Sequence, residues 1–363
     1  MANKYNKNKE KEHQLKAVDF FCSGGGMSFG MQSSGIEILA GIDFDENCKE
    51  TYEANIGKDK FIFEDVFELK EEELEKKLNL KRNDDNLLLI GCSPCQFWSM
   101  IPTSKIKSEK SKDLLIEFRR FAEYFTPGYI VVENVPGVHR RKEESGLNDF
   151  ISWLEQNNYT VHANIHEVSN YGVPQHRKRF TLIANRITNA VIEPEKYIGD
   201  KITVRDVLGE HNGFPKVQHG ARDKTDFLHS VSKLSEISLK RLAITPKNGG
   251  DRLAYVYNKE LAPPCHYKKL NGFRDIYGRM WWDRPSPTIT TKFFSVSNGR
   301  FSHPDEDRAI SLREGATLQS FPKNYKFIGN NTANIARMIG NAVPPTYAKA
   351  IGKAILQNHT NAI

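Results

Sequence analysis

Leu87-Leu88-Leu89-Ile90-Gly91-Cys92-Ser93-Pro94-Cys95-Gln96 is an unbroken apolar run that stops at a glycine and passes straight into a turn. Four large aliphatic side chains in succession are too few for a helix and suit a strand buried on both faces. Such a strand belongs to a sheet covered by helices, and the surrounding chain has the matching pattern. Upstream, Ala17–Cys22, Ile36–Ile42 and Phe61–Phe63 read as strands, with helical periods at Met27–Ser33, Asp45–Asn55 and Glu68–Leu80. Downstream, Leu114, Leu115, Phe118, Phe121, Ala122 and Phe125 fall at helical spacing, with Ser111 placed to cap and Pro127-Gly128 to stop. Tyr129–Val132, Tyr159–Val168 and Arg179–Ala184 read as further strands, and Leu147, Phe150, Ile151 and Leu154 as one more helix. Strand and helix in alternation predict an α/β fold with a doubly wound, mostly parallel sheet.

The alternation occupies residues 17–186. Before it, residues 1–16 are rich in Lys, Asn and Glu and read as a mobile tail. After it, residues 187–330 read as a second, smaller, loop-rich domain, with turn pairs at Asn248-Gly249-Gly250 and Asn271-Gly272. Residues 331–363 carry two helical stretches, Asn334–Ile339 and Thr346–Leu356, joined by Gly340-Asn341-Ala342-Val343-Pro344-Pro345. No apolar run reaches transmembrane length and the N-terminus has no signal-peptide core, so no membrane role is expected. Five cysteines, an odd number scattered along 363 residues, do not form a disulfide framework, which favours a reducing, cytoplasmic setting. The net charge of +7 tilts mildly toward polyanionic partners.

Cys92 and Cys95 stand three residues apart, a spacing open to three readings: a redox pair, half of a zinc site, or one useful cysteine beside a buried neighbour. No second C-x-x-C and no paired histidines supply the remaining zinc ligands, so no metal is expected. Gly24, Gly25 and Gly26 lie between the first strand and first helix, where glycine lets backbone approach a ligand at a helix N-terminus. Asp43 and Asp65 end the next two strands; the first is placed for ribose hydroxyls and the second for an adenine amino group. Together they indicate an adenosine-bearing cofactor. Glu133 ends the buried strand before Asn134-Val135, where a carboxylate needs a task or a partner. Its burial favours a raised pKa suited to a general acid, and Arg177 or Arg179 offers a salt bridge.

With these residues in place, the chain resembles the DNA cytosine-5 methyltransferases, in particular the compact bacterial restriction–modification type. The resemblance rests on Asp19-Phe20-Phe21-Cys22-Ser23-Gly24-Gly25-Gly26, Pro94-Cys95-Gln96, Glu133-Asn134-Val135, Gln175-x-Arg177-x-Arg179, Arg313-Glu314 with Leu318-Gln319-Ser320-Phe321-Pro322, and Gly340–Pro345, in the family's order. It implies a Rossmann-like S-adenosylmethionine-dependent methyltransferase fold, with 187–330 as target-recognition domain and the C-terminal helices returning to the catalytic domain. It also implies a mechanism. The Cys95 thiolate attacks C6 of a cytosine flipped out of duplex DNA, and Glu133 acts at N3. C5 then takes the methyl group of S-adenosylmethionine, leaving S-adenosylhomocysteine. Arg177 and Arg179 would hold the base and stabilise Glu133. Phe21, Gly24, Gly25, Gly26, Asp43, Asp65, Val66, Pro94, Asn341 and Val343 match cofactor-lining positions. Gln96, Ser99, Lys112, Lys268, Lys269 and Arg274 are the DNA-contact candidates.

The implied partners are double-stranded DNA and a restriction endonuclease acting on the same site. The implied protein is monomeric and cytoplasmic, nucleoid-associated when on DNA. A tRNA cytosine-5 methyltransferase of the same family and a catalytically silent DNA-binding regulator are the alternatives. Three departures stand out: Ser23 in place of the loop's first glycine, Trp98 in place of phenylalanine, and a glycine-poor segment Ile101–Lys112 ending in lysine rather than arginine.

Overall fold

The computed structural model describes residues 14–93, 113–141, 143–264 and 274–362. Seven strands form one sheet, β1 (Lys16–Phe20), β2 (Glu37–Asp43), β3 (Phe61–Phe63), β4 (Leu87–Gly91), β5 (Tyr129–Asn134), β6 (Thr160–Glu167) and β7 (Lys178–Asn185). Their order is β3-β2-β1-β4-β5-β7-β6. Strands β1 to β5 pair in parallel, while β7 runs antiparallel to both β5 and β6. All seven strands read from the sequence are present, and the sheet is mostly parallel as expected.

The helices that cover the sheet follow from apolar spacing. α1 (Gly26–Ser34) leaves β1, α2 (Lys49–Ile56) leaves β2, and α3 (Glu71–Leu78) precedes β4. α4 (Leu114–Phe125) buries the six residues Leu114, Leu115, Phe118, Phe121, Ala122 and Phe125, the stripe read from the sequence. Ser111, expected to cap it, lies outside the described residues. Phe118 rests so closely on the end of β4 that a Cβ on Gly91 would lie 2.8 Å from its ring. Glycine is therefore what lets this strand end beneath α4. α5 (Pro136–Arg140) and α6 (Leu147–Gln156) follow β5. Each fully buried Phe or Leu of this core contributes roughly 1.5–3 kcal/mol.

The chain divides into two compact units. Unit 1 is the chain up to Glu167, Lys178–Lys196 and the segment from Val343 onward; unit 2 is Val168–Arg177 with Tyr197–Ala342. Unit 1 thus includes the C-terminal helix Pro345–Ala362, which packs along α1. A Cβ on Gly30 would lie 2.4 Å from Ala348 Cβ, and one on Gly352 2.3 Å from Ser34 Oγ, so these two glycines allow the helices to touch.

Unit 2 contains α7 (Val204–Val207), α8 (Glu236–Ile244), α9 (Leu312–Leu318) and α10 (Thr332–Asn341) between long irregular stretches. Irregular buried backbone must find hydrogen-bond partners, and here arginines supply them. Arg279 donates to the carbonyls of Leu242, Thr245 and His303, and Arg313 to those of Phe227 and Tyr325. Arg308 grips Glu314 through two bonds of 2.7 and 2.9 Å. Glu314 also closes a capping box with Ser311 at the start of α9. No helix of the described residues is long and apolar enough to cross a membrane.

Candidate active site

Because β1 pairs with β2 on one side and β4 on the other, the sheet's winding reverses between β1 and β4. Open α/β sheets form their ligand crevice at the carboxyl ends of such strands. The loop leaving β1 is tightly bent there. Phe21, Ser23 and Gly25 adopt left-handed φ values of 63°, 46° and 85°. Two non-glycine residues in that region cost about 1–2 kcal/mol each, strain of the kind concentrated at functional turns. The turn is held by Cys22 N–H on Ile42 O (3.1 Å), Gly25 N–H on Cys22 O (2.9 Å) and Ser23 N–H on Asp43 Oδ2 (2.8 Å). Ser23, the departure from the glycine pattern, makes its bond to Asp43 through the backbone N–H, so the bond does not depend on the serine side chain. Gly25 caps α1 in a left-handed conformation without any side-chain bond, and its own N–H is used within the turn on Cys22 O.

Asp43 ends β2, its second oxygen accepting from Asp45 N–H at 2.9 Å. These two backbone bonds fix the orientation of the carboxylate. Asp65 accepts from Phe67 N–H at 3.1 Å, and the carbonyls of Val66 and Leu69 receive Arg120 Nη2 at 2.9 and 3.0 Å. α4 thereby fixes the turn after β3. Phe44 is 63 % exposed immediately after Asp43, and the sequence reading missed it. An aromatic directly following a strand-terminal acid was the available signal, but exposure of a ring is decided by tertiary packing.

On the other side of the crevice, Cys92 N–H donates to Phe20 O at 3.2 Å. Burial, with the Asp19 and Glu133 carboxylates nearby, pushes the Cys92 thiol well above its ordinary value, which suits an inert thiol. Asn134 Nδ2 donates to both the carbonyl (3.1 Å) and Oγ (2.9 Å) of Ser93, so the strand-ending asparagine holds the residue from which Pro94-Cys95-Gln96 departs. Pro94, Cys95, Gln96, Ser99 and Lys112 lie outside the described residues, as do Lys268 and Lys269.

Glu133 and Arg179 face one another from β5 and β7, with Arg179 Nε 2.8 Å from Glu133 Oε1 and side-chain exposures of 11 % and 8 %. Of the two arginines offered by the sequence, Arg179 makes this ion pair. Arg177, in unit 2, directs Nη1 to Ile289 O (2.9 Å) and Nη2 to the carbonyls of Gly340 (3.0 Å) and Ala342 (3.3 Å). Gln175 joins it, accepting from Ile289 N–H at 2.7 Å and donating to Gln319 Oε1 at 2.7 Å. Asn341 is exposed at the end of α10, and Val343 is buried at 5 %. Arg274 is paired with Asp251, Nη2 to Oδ2 at 2.8 Å, so its charge is partly spent within the protein. Among the described residues no group of three or more His, Cys, Asp or Glu side chains is arranged to hold a metal ion.

A mostly parallel sheet with a glycine turn, strand-terminal acids and a paired buried carboxylate defines a Rossmann-like enzyme of the methyltransferase class. The model of the C-5 cytosine-specific DNA methylase family matches residues 15–357, and the chain belongs to that family. It is a DNA (cytosine-5) methyltransferase. Its relatives include the Type II methylase M.HgiDII of Herpetosiphon aurantiacus, 37 % identical over 93 % of this chain and 94 % of that protein. The Type II methyltransferase M1.HphI of Haemophilus parahaemolyticus is 29 % identical over 96 % of this chain and 88 % of that protein. Among solved structures, a prophage-encoded E. coli protein described as a DNA modification methyltransferase shares the fold. It has a TM-score of 0.73 at 21 % identity and covers 96 % of this chain and all (100 %) of that one.

Proposed function

We propose that the protein methylates C5 of a flipped-out cytosine within a specific duplex DNA sequence, with Cys95 as nucleophile and S-adenosylmethionine as methyl donor. The observation that carries this reading is the Glu133–Arg179 pair at 2.8 Å, set beside an Asn134 that holds the start of the Cys95 segment. The crevice suits the cofactor. The α1 amides fit its carboxylate, Asp43 its ribose hydroxyls, Asp65 with Phe44 its adenine, and the cluster of acids its positive charges. S-adenosylmethionine, when bound, supplies a methyl group activated on a sulfonium.

The protein's own groups do the rest. Cys95, as thiolate, bonds to C6 of the base, and Glu133 hydrogen-bonds N3, so electron density gathers at C5. Arg179 keeps Glu133 oriented and reaches the base edge. After methylation the C5 proton passes to solvent, its electron pair re-forms the C5–C6 double bond, and Cys95 is expelled as the thiolate it began as. Arg177 orders the backbone at Ile289 and at Gly340–Ala342. Unit 2 serves as target-recognition domain, its basic and aromatic residues contacting phosphates and base edges. A restriction endonuclease of the same specificity is the expected partner, and the enzyme acts as a monomer.

Bisulfite sequencing of a plasmid from cells expressing the protein tests this directly, because methylated cytosines should recur in one short motif. Cys95→Ala should yield none while still binding cofactor. Methylation of tRNA but not of duplex DNA in a parallel assay would overturn the substrate assignment.

A further inference from the structure

We propose that Asp19 is a charge-bearing positioning residue of the cofactor site, anchoring the first turn of α1 through Ser28 and favouring a cationic sulfonium ligand over its neutral thioether product. This rests on the S-adenosylmethionine reading above. Asp19 lies in β1, two residues before the strained loop, and is fully buried (0 %). Its Oδ2 accepts from Ser28 Oγ at 2.5 Å, and Ser28 Oγ lies 2.8 Å from the hydroxyl of Tyr52 in α2. With Ser28 donating to the carboxylate, Tyr52 must donate to Ser28, so strand, loop helix and α2 are joined by a directed relay. Oδ1 is buried and has no hydrogen-bond partner among the described residues.

The titratable groups facing Asp19 are Asp43 at the end of β2, Cys22 in the loop, Cys92 after β4 and Tyr52 from α2, and all of them are acids. A buried carboxylate surrounded by acids is held only partly ionised; burial first, and Asp43 in addition, push it up to about 7 against the opposing Ser28 bond. A cation brought into the crevice supplies the missing counter-charge. Binding of a sulfonium then drives ionisation of Asp19, with its proton released to solvent, whereas a thioether of the same shape gains less. An anchor with no electrostatic role would weaken both ligands alike.

Isothermal titration calorimetry of the full chain with S-adenosylmethionine and S-adenosylhomocysteine, between about pH 6 and about pH 8.5, separates these cases. The preference for S-adenosylmethionine should rise about three- to tenfold across that range in the wild type. Asp19→Asn should make it flat, and Ser28→Ala should move the rise to higher pH, because Ser28 stabilises the ionised form. If Asp19→Asn does not fold, Ser28→Ala carries the test, and an unshifted profile overturns the proposal. A flat wild-type ratio with both ligands bound defeats this inference alone. Failure of both ligands to bind the wild type would instead remove the cofactor reading itself.

Discussion

Arg179 Nε and Glu133 Oε1 meet at 2.8 Å across the junction of β5 and β7, the one antiparallel seam that joins the parallel part of the sheet to its edge hairpin. The reversed strand is what allows a residue beside β5's carboxyl end to come from a segment more than forty positions later in the chain. A buried pair of this kind loses roughly 3–5 kcal/mol when one partner is removed. Arg179→Ala should therefore both destabilise the protein and abolish methyl transfer. Glu133→Gln should keep the fold and reduce methylation about 10²–10⁴-fold. Steady-state methylation assays alongside thermal melts would check both, and a Glu133→Gln enzyme of normal activity would remove this carboxylate from the chemistry.

Asn134 holds Ser93 by two hydrogen bonds, and its contribution should be positional. Asn134→Ala should lower kcat about 10–100-fold through misplacement of the following Cys95 segment while changing the affinity for S-adenosylhomocysteine less than about threefold. Equal losses in both quantities would show that Asn134 supports the whole crevice rather than the Cys95 segment.

Ser23 carries a left-handed φ of 46° that glycine adopts without penalty. Its bond to Asp43 is made by the backbone N–H, which glycine retains. Ser23→Gly should consequently raise stability by about 0.5–1 kcal/mol, seen as a higher midpoint in denaturant unfolding, with cofactor affinity preserved. An unchanged or lower midpoint would mean that the strain is relieved elsewhere, for example by the Ser23 Oγ contact to Cys48.

Unit 2 should be acid-sensitive in a defined window. Burial pushes His303 down from 6.5 to about 4, outweighing Glu314 and Glu306, and Arg308 adds to the shift. Between those values the unfolded chain takes up a proton that the folded one does not, so stability falls as pH drops from 6.5 toward 4. Glu314 is held down to about 2 against its own burial, chiefly by Arg308, so a second loss follows below its ordinary value of 4.5. Urea unfolding at a series of pH values should show both arms, and Glu314→Gln should delete the lower one.

Arg177 gives the last prediction. Arg177→Met would take the guanidinium donor from the Ile289 carbonyl and leave those of Gly340 and Ala342 with only Gln319 Nε2 at 3.5 Å. The expected cost is about 1–3 kcal/mol for each carbonyl that water cannot reach, read as loss of protease resistance in unit 2.

Much of the fold was legible because strand and helix periodicities are local. The six-residue stripe of α4 and the continuous burial of Leu87–Gly91 are consequences of side-chain spacing alone. The candidate site was legible as acids at or just past strand ends, where the structure places Asp43, Asp65 and Glu133. What could not be read was the direction of each polar side chain. Arg177 and Arg179 are chemically identical and two residues apart, yet one grips carbonyls and the other a carboxylate. Arg274, a candidate DNA contact by composition, is paired with Asp251.

The sequence by itself determined the alternating α/β architecture and the family, and it proposed Cys95, Glu133 and the glycine turn as site candidates, since these readings depend on local order and residue chemistry. Only the tertiary structure decided that Arg179 partners Glu133, that Asn134 holds Ser93, that Phe44 is exposed beside Asp43, and that Asp19 is buried among acids. Those facts depend on which strands become neighbours and how much water they exclude, and both are set by packing between segments far apart in the chain.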